Sequence, residues 1–179
     1  MNNKIIKYKW FWAWQDDREE RWLEQMSAQG YHLVEPGFFG RYVFEQGQPI
    51  KYIYRLDFIS HKKDQMESYL QYFKDAGWEY LGDFGSWQYF RIVVDDSKNP
   101  EIYTDYASKI EKYRRIMRIL FVCILVYILP LNLSDLTTGD SNWLMRSIAI
   151  LGVLLLILFS IGSYKIYKRI QELKQTIKQ

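Results

Sequence analysis

Residues 22–31 read WLEQMSAQGY and residues 69–78 read YLQYFKDAGW. Aligned at an offset of 47, both follow one pattern: aromatic, Leu, two polar-or-aromatic positions, a large apolar residue, three spacers, Gly, aromatic. The first, second and fifth positions share one face of a helix, and the glycine falls where a helix commonly ends in a left-handed residue. A second echo follows, Phe39-Gly40-Arg41-Tyr42-Val43-Phe44 against Phe84-Gly85-Ser86-Trp87-Gln88-Tyr89, at an offset of 45. Self-similarity at such a period marks a repeated supersecondary unit.

Each unit reads strand, helix, strand, strand. In the first, a strand spans about Ile5–Trp14, with Tyr8, Trp10, Trp12 and Trp14 on one face by period-two alternation. A helix follows from Asp17, its N-cap, to Gln29, with Gly30 beyond its end. Strands at Tyr31–Glu35 and Arg41–Glu45 flank Pro36-Gly37. In the second unit, Lys51–Phe58 is the first strand and the helix runs from after Ser60 to Gly77. Its stripe is Met66, Tyr69, Leu70 and Phe73. Strands at Trp78–Leu81 and Trp87–Val94 close it. The expected fold class is α+β: a duplicated, ferredoxin-like βαββ arrangement in one antiparallel sheet, with two helices on one face.

Charge and hydropathy divide the chain. Residues 1–98 hold 13 Lys/Arg and 15 Asp/Glu, whereas residues 99–179 hold 11 and 6, so the basic excess belongs to the C-terminal half. A slightly acidic folded domain argues against direct nucleic-acid binding. Of the 32 Phe, Trp and Tyr residues, 23 precede position 100, enough to build a core without disulfides or metals. The lone cysteine, Cys123, lies in an apolar run, which excludes an intramolecular disulfide and fits a reducing compartment.

The C-terminal half reads as a transmembrane hairpin. Ile116–Leu133 and Leu144–Tyr164 are each long enough to span a bilayer, and the polar segment Ser134–Asn142 between them is short. Lys112, Arg114 and Arg115 precede the first span, and Arg118 lies within its first turn and reaches back to the headgroups; Lys165, Lys168 and Arg169 follow the second. This bias predicts a two-pass membrane protein with both termini cytoplasmic, and attraction to anionic lipid accompanies it. Trp143 and Tyr164 sit at interfacial positions. The opening MNNKIIKYKWFWAWQDD lacks the apolar core of a signal peptide. The expected organisation is a cytoplasmic domain over 1–98, a linker and juxtamembrane helix over 99–115, the hairpin over 116–164, and a basic tail over 165–179. Gly152 and Gly162 leave homo-oligomerisation through the spans open.

Catalytic motifs are missing. No metalloprotease, nucleophile-elbow, Walker or dinucleotide pattern occurs, and His32 and His61 suit surface or capping positions. No cofactor, metal or catalytic residue is expected. Arg55 and Asp57 share a strand face and either line a ligand site or form a charge pattern on the solvated sheet face; the latter is the expectation. The carboxylates Asp16, Asp17, Glu19 and Glu20 are explained by the helix N-terminus they occupy. Tyr8, Trp10, Trp12 and Trp14 form either an aromatic groove for a ligand or the sheet's core face against Trp22, Met26, Tyr69 and Phe73. The core is the expectation, although six tryptophans in this domain exceed what a core requires.

The opening KWFWAWQDDREERWLEQMSAQGYHL, the FG-x-Y-x-F strand, the Y-x-Y-R-x-D-F strand and the trailing hairpin resemble the bacterial domain-of-unknown-function family 2812. The resemblance covers residues 6–95 and rests on an aromatic pattern. It implies a membrane-anchored accessory protein that works beside a PadR-like transcriptional regulator. The resulting expectation is a non-enzymatic binding or regulatory module that acts as an adaptor for such a regulator. The alternative is a sensor of a hydrophobic compound or envelope-active peptide; an enzyme whose site joins Arg55, Asp57 and a histidine ranks last.

Overall fold

The computed structural model describes residues 4–59, 63–94, 102, 106–128 and 143–177. It divides into two compact units, Met1–Asp105 and Tyr106–Gln179.

The first unit contains β1 (Lys4–Tyr8), α1 (Asp16–Ala28), β2 (Tyr31–Pro36), a 3-10 turn at Phe38–Gly40, β3 (Arg41–Gln46), β4 (Tyr52–Phe58), α2 (Lys63–Asp75), β5 (Glu79–Phe84) and β6 (Trp87–Val93). These strands make two three-stranded antiparallel sheets, ordered β1-β3-β2 and β4-β6-β5. In both, the last strand inserts between the first two, which therefore run parallel and are joined by the helix.

The single sheet expected from the sequence is replaced by two. The Leu33 N–H of β2 donates to the Tyr54 hydroxyl at 3.4 Å, and the Leu33 carbonyl accepts from Arg91 Nη1 at 3.1 Å. Side chains of the second sheet thus satisfy an edge that a strand would otherwise pair. Bulges at Leu33/Glu35 in β2 and Tyr80/Gly82 in β5 also break both edges.

Among the described residues of this unit, two apolar clusters form the core. Leu23 and Met26 of α1 pack with Leu33, Tyr42 and Phe44 of the first sheet and with Tyr54, Leu56 and Tyr89 of the second. On the other side, Phe73 and Trp78 pack with Ile53, Phe90 and Ile102. The second sheet is therefore covered on both faces, and β4 is buried at every position after Tyr52. The solvated face expected for Arg55 and Asp57 does not exist.

The expected strand Ile5–Trp14 ends at Tyr8. Its partner β3 begins at Arg41, opposite Tyr8, and the preceding 3-10 turn offers no further ladder. One more bond, Lys9 N–H to the Gly40 carbonyl at 2.8 Å, closes the pairing. Helix α1 starts at Asp16, one residue earlier than expected, with Gln15 rather than Asp17 in the cap position. Gly30 takes the left-handed conformation expected of it, φ +84°.

In the second unit, α3 (Tyr106–Ile128) and α4 (Trp143–Ile177) pack on each other. Ile110, Tyr113 and Ile116 of α3 and Ile166, Ile170 and Leu173 of α4 are buried. One helical stretch among the described residues, within Ile150–Thr176, is long and apolar enough to cross a membrane. The juxtamembrane segment is one helix with the start of the expected first span, and the basic tail continues α4 without a break. The end of that span, the 134–142 connection and residues 99–101 of the expected linker lie outside the described residues, as does His61.

Candidate binding site

The segment between β1 and α1 is held at two points. The Lys9–Gly40 bond fixes its start. A turn fixes its end, in which Gln15 N–H donates to the Trp12 carbonyl at 2.8 Å and Trp12 N–H donates to Gln15 Oε1 at 3.1 Å. Gly40 is required at the first point: φ is +69°, and a Cβ there would sit 2.5 Å from the Lys9 oxygen. Phe39 also adopts positive φ, +52°, a strained conformation for an aromatic residue.

This frame holds a row of rings. Trp10 stacks on Phe39 (centroids 6.4 Å apart) and meets Trp12 edge-on at 5.7 Å; Trp12 stacks on Trp14 at 5.4 Å. Trp10 and Phe39 are 55% and 69% exposed and Trp12 is 38% exposed, so the stripe is a surface rather than the expected core face. Tyr8 is exposed as well, and Trp14 is half-buried.

Beneath the rings lies a cavity of about 220 Å³, lined by Trp10, Phe11, Trp12 and Phe39, by Phe84, Trp87 and Tyr89 of the second sheet, and by Tyr42, Asp16 and Glu19. Asp16 and Glu19 are buried. Glu19 Oε1 accepts hydrogen bonds from Tyr42 Oη at 2.7 Å and Tyr89 Oη at 2.6 Å. Burial holds the Glu19 carboxyl above its ordinary value; the two phenols pull it down, and Asp16 pushes it up again. Burial and the Glu19 charge raise both phenols, so Tyr42 and Tyr89 stay protonated and act as donors. The macrodipole explanation of these carboxylates missed this role. The signal was present: Glu19, Leu23 and Met26 stand at i, i+4, i+7, on the apolar face of α1.

Arg55 and Asp57 do not reach this cavity. Arg55 Nη1 donates to Glu24 at 3.0 Å and to the Tyr54 carbonyl at 2.8 Å, and lies 3.8 Å from Glu20. Glu20 also accepts the Leu56 N–H at 2.9 Å, so α1 covers the outer edge of β4. Asp57 accepts from the Phe58 N–H at 2.7 Å and from Tyr69 Oη at 3.0 Å. Both residues are buried ties between strand and helix. His32 has a structural position too, with Nδ1 3.0 Å from Ser27 Oγ and Nε2 2.8 Å from the Gln48 carbonyl oxygen.

A second, more polar depression of about 420 Å³ lies at the seam of β2 and β5. Its cation, Arg91, is engaged in two bonds to Glu79 at 2.6 and 2.8 Å and stacks 4.6 Å from the Tyr52 ring centre. In the helical unit, Arg114 and Arg118 pair with Glu111, and Arg169 pairs with Glu172. Trp143, Tyr164, Lys165 and Lys168 are exposed and Arg115 half-buried, whereas Lys112, expected at the headgroups, is buried with Nζ 5.1 Å from the Tyr113 ring centre.

The family model described as "Protein of unknown function (DUF2812)" matches residues 15–125, a span that holds both sheets except β1 and continues into α3. It starts just after the Trp10–Trp14 stretch and includes Glu19, Tyr42 and Tyr89. No curated protein and no solved structure matches the chain. By that match over more than half of its length, the chain belongs to the DUF2812 family of proteins of unknown function.

Proposed function

We propose that this chain is a membrane-anchored binding module with a regulatory rather than catalytic role, and that the aromatic cavity is its receptor surface. The observation that carries the reading is the exposed rim of Trp10, Trp12 and Phe39 above a buried carboxylate floor. Exposed rings around a concave site are a ligand-binding feature, because a core would have covered them. Among the described residues the lining holds no Ser, Thr, Cys, His or Lys, and its two phenols, Tyr42 and Tyr89, are engaged as donors to Glu19. Of the two binding readings, capture of a protein such as a PadR-like regulator and sensing of a hydrophobic compound, the concavity favours sensing. A protein partner then reads the occupied state.

The anchor in this proposal is the two-helix hairpin with both termini cytoplasmic. Its support is a run of exposed apolar residues on both helices, including Ile119, Phe121, Val122 and Leu125 on α3 and Ile150, Leu154, Ile157 and Ile161 on α4, flanked by the cations named above. The identical order of the two sheets and the sequence echoes support an origin by duplication.

The test is a titration of the full chain in non-ionic micelles with a panel of hydrophobic compounds, followed by tryptophan fluorescence. At least one compound should shift the emission, and Trp12→Ala should remove the shift. A silent spectrum across the panel, with a regulator recovered by crosslinking from native membranes, would favour the adaptor reading instead.

A further inference from the structure

We propose that the cavity beneath Trp10 and Trp12 is a site for a small organic cation, a protonated or quaternary amine carried on a compact apolar body. This deepens the receptor reading above and rests on it. The chemistry of the lining carries the assignment. Among the described residues, six of the lining side chains are Trp or Phe, two are carboxylic acids, and none is basic. Ring faces are electron-rich and attract a cation, most strongly where water is excluded. Asp16 and Glu19 are buried and line the same space, so a cation that enters between the rings also meets two acidic side chains.

The alternatives fit less well. An anion would be brought against two buried carboxyls, an arrangement that like charges disfavour. A neutral apolar body would gain the rings but draw nothing from the two carboxyls. One of these rings already receives a cation from the chain itself: Lys9 Nζ lies 5.4 Å from the Phe11 ring centre. Size narrows the class further. The volume of about 220 Å³ is below the roughly 300–1,000 Å³ typical of drug-sized ligand pockets, which suits a headgroup-sized amine.

An isosteric series separates charge from shape. Choline, 3,3-dimethylbutan-1-ol and 3,3-dimethylbutanoate present nearly the same branched head with positive, neutral and negative character. Each is titrated into the full chain in dodecylmaltoside micelles, which have no charged headgroup, with tryptophan emission as the readout. Choline should bind at least about tenfold tighter than the alcohol, and the butanoate should bind most weakly. Glu19→Gln and Asp16→Asn should each shrink the choline-to-alcohol ratio; the wild-type ratio stands even if one variant misfolds. Displacement of choline by added phosphatidylcholine would assign the amine to a lipid headgroup, and persistence of binding would assign it to a free amine; either supports the class. Equal affinity for choline and the alcohol overturns the cation assignment and leaves the receptor reading intact. No response to any of the three, or to the wider hydrophobic panel, removes both.

Discussion

The Tyr89 hydroxyl donates a 2.6 Å hydrogen bond to the Glu19 carboxylate, tying a strand of the second sheet to a helix of the first across 70 positions of sequence. Tyr42 of the first sheet donates to the same oxygen at 2.7 Å, so one buried carboxylate holds both modules. Loss of either donor leaves a buried acceptor less well satisfied. Hydrogen bonds to charged groups are worth about 1.5–3 kcal/mol, so Tyr89→Phe and Tyr42→Phe should each lower stability by that order in urea denaturation. Because they share an acceptor, the double variant should deviate from additivity by about 0.5 kcal/mol or more.

Glu19 also sets a pH dependence. Burial raises its folded-state carboxyl above the ordinary 4.5, so the folded state holds the proton more tightly than the unfolded state. The stability linked to this proton is fully present below 4.5 and is lost as pH rises through the raised folded value. The measurement is the urea midpoint of wild type minus that of Glu19→Gln over an acidic-to-neutral series. The difference should fall as pH rises from 4.5 and then level off. A difference that stays level above 4.5 and drops below it would show a Glu19 carboxyl held below its ordinary value.

The strand–helix–strand–strand order was legible twice over because each helix carries its own apolar stripe and its own terminal glycine, signals that depend on a few neighbouring residues. Strand bounds at β2, β3, β4 and β6 follow from local alternation and turn residues and agree with expectation within two residues. What failed depends on distant partners. Trp10–Trp14 alternates as a strand does, yet has no strand opposite it once β3 gives way to the Phe38–Gly40 turn. Arg55 and Asp57 alternate as on a solvated face, but α1 and α2 cover β4 from both sides. The tryptophan half of the site was visible as a surplus of rings. Its acidic half was hidden, because Glu19 at a helix start has a sufficient local explanation and its tyrosine partners come from β3 and β6.

The edge of β4 offers a test of how α1 binds the second sheet. Arg55 bridges toward Glu20 and Glu24, and Glu20 caps the Leu56 N–H. Arg55→Met keeps much of the stem volume but leaves the two carboxylates without their cation. Glu24 is partly solvated, so the expected loss is about 1–3 kcal/mol rather than the roughly 3–5 of a fully buried pair. Arg55→Lys should recover only part of it, since an ammonium cannot reproduce the planar fork. Thermal denaturation of the three proteins checks the order wild type, Lys, Met.

Cys123, the single cysteine of the chain, is exposed on α3 and reports on the proposed hairpin without mutagenesis. Within the bilayer, a thiol cannot ionise readily and meets no polar reagent. In intact membranes a charged maleimide should leave it unmodified, whereas the same reagent should label it after solubilisation and denaturation. Rapid labelling before solubilisation would place α3 in water and reduce the anchor to α4 alone.

The geometry of Gly40 gives the sharpest test that the tryptophan rim is built rather than incidental. A methyl group there would meet the Lys9 oxygen at 2.5 Å while the backbone sits at φ +69°. Left-handed conformation alone costs a non-glycine residue about 1–2 kcal/mol, and the collision must also push Lys9 away. Gly40→Ala should therefore weaken the Lys9–Gly40 bond and release the start of the 9–12 segment, so that Trp10 loses its stack on Phe39. The expected outcome is a folded protein, by far-ultraviolet circular dichroism, with altered near-ultraviolet signal and weakened response to any cavity ligand. Gly85→Ala is the matched control, since it also has positive φ, +62°, but a Cβ there meets nothing within 4 Å. It should carry the backbone penalty and leave the tryptophan signals and ligand response unchanged. If both variants disturb the rim equally, backbone strain rather than the Lys9 contact governs it.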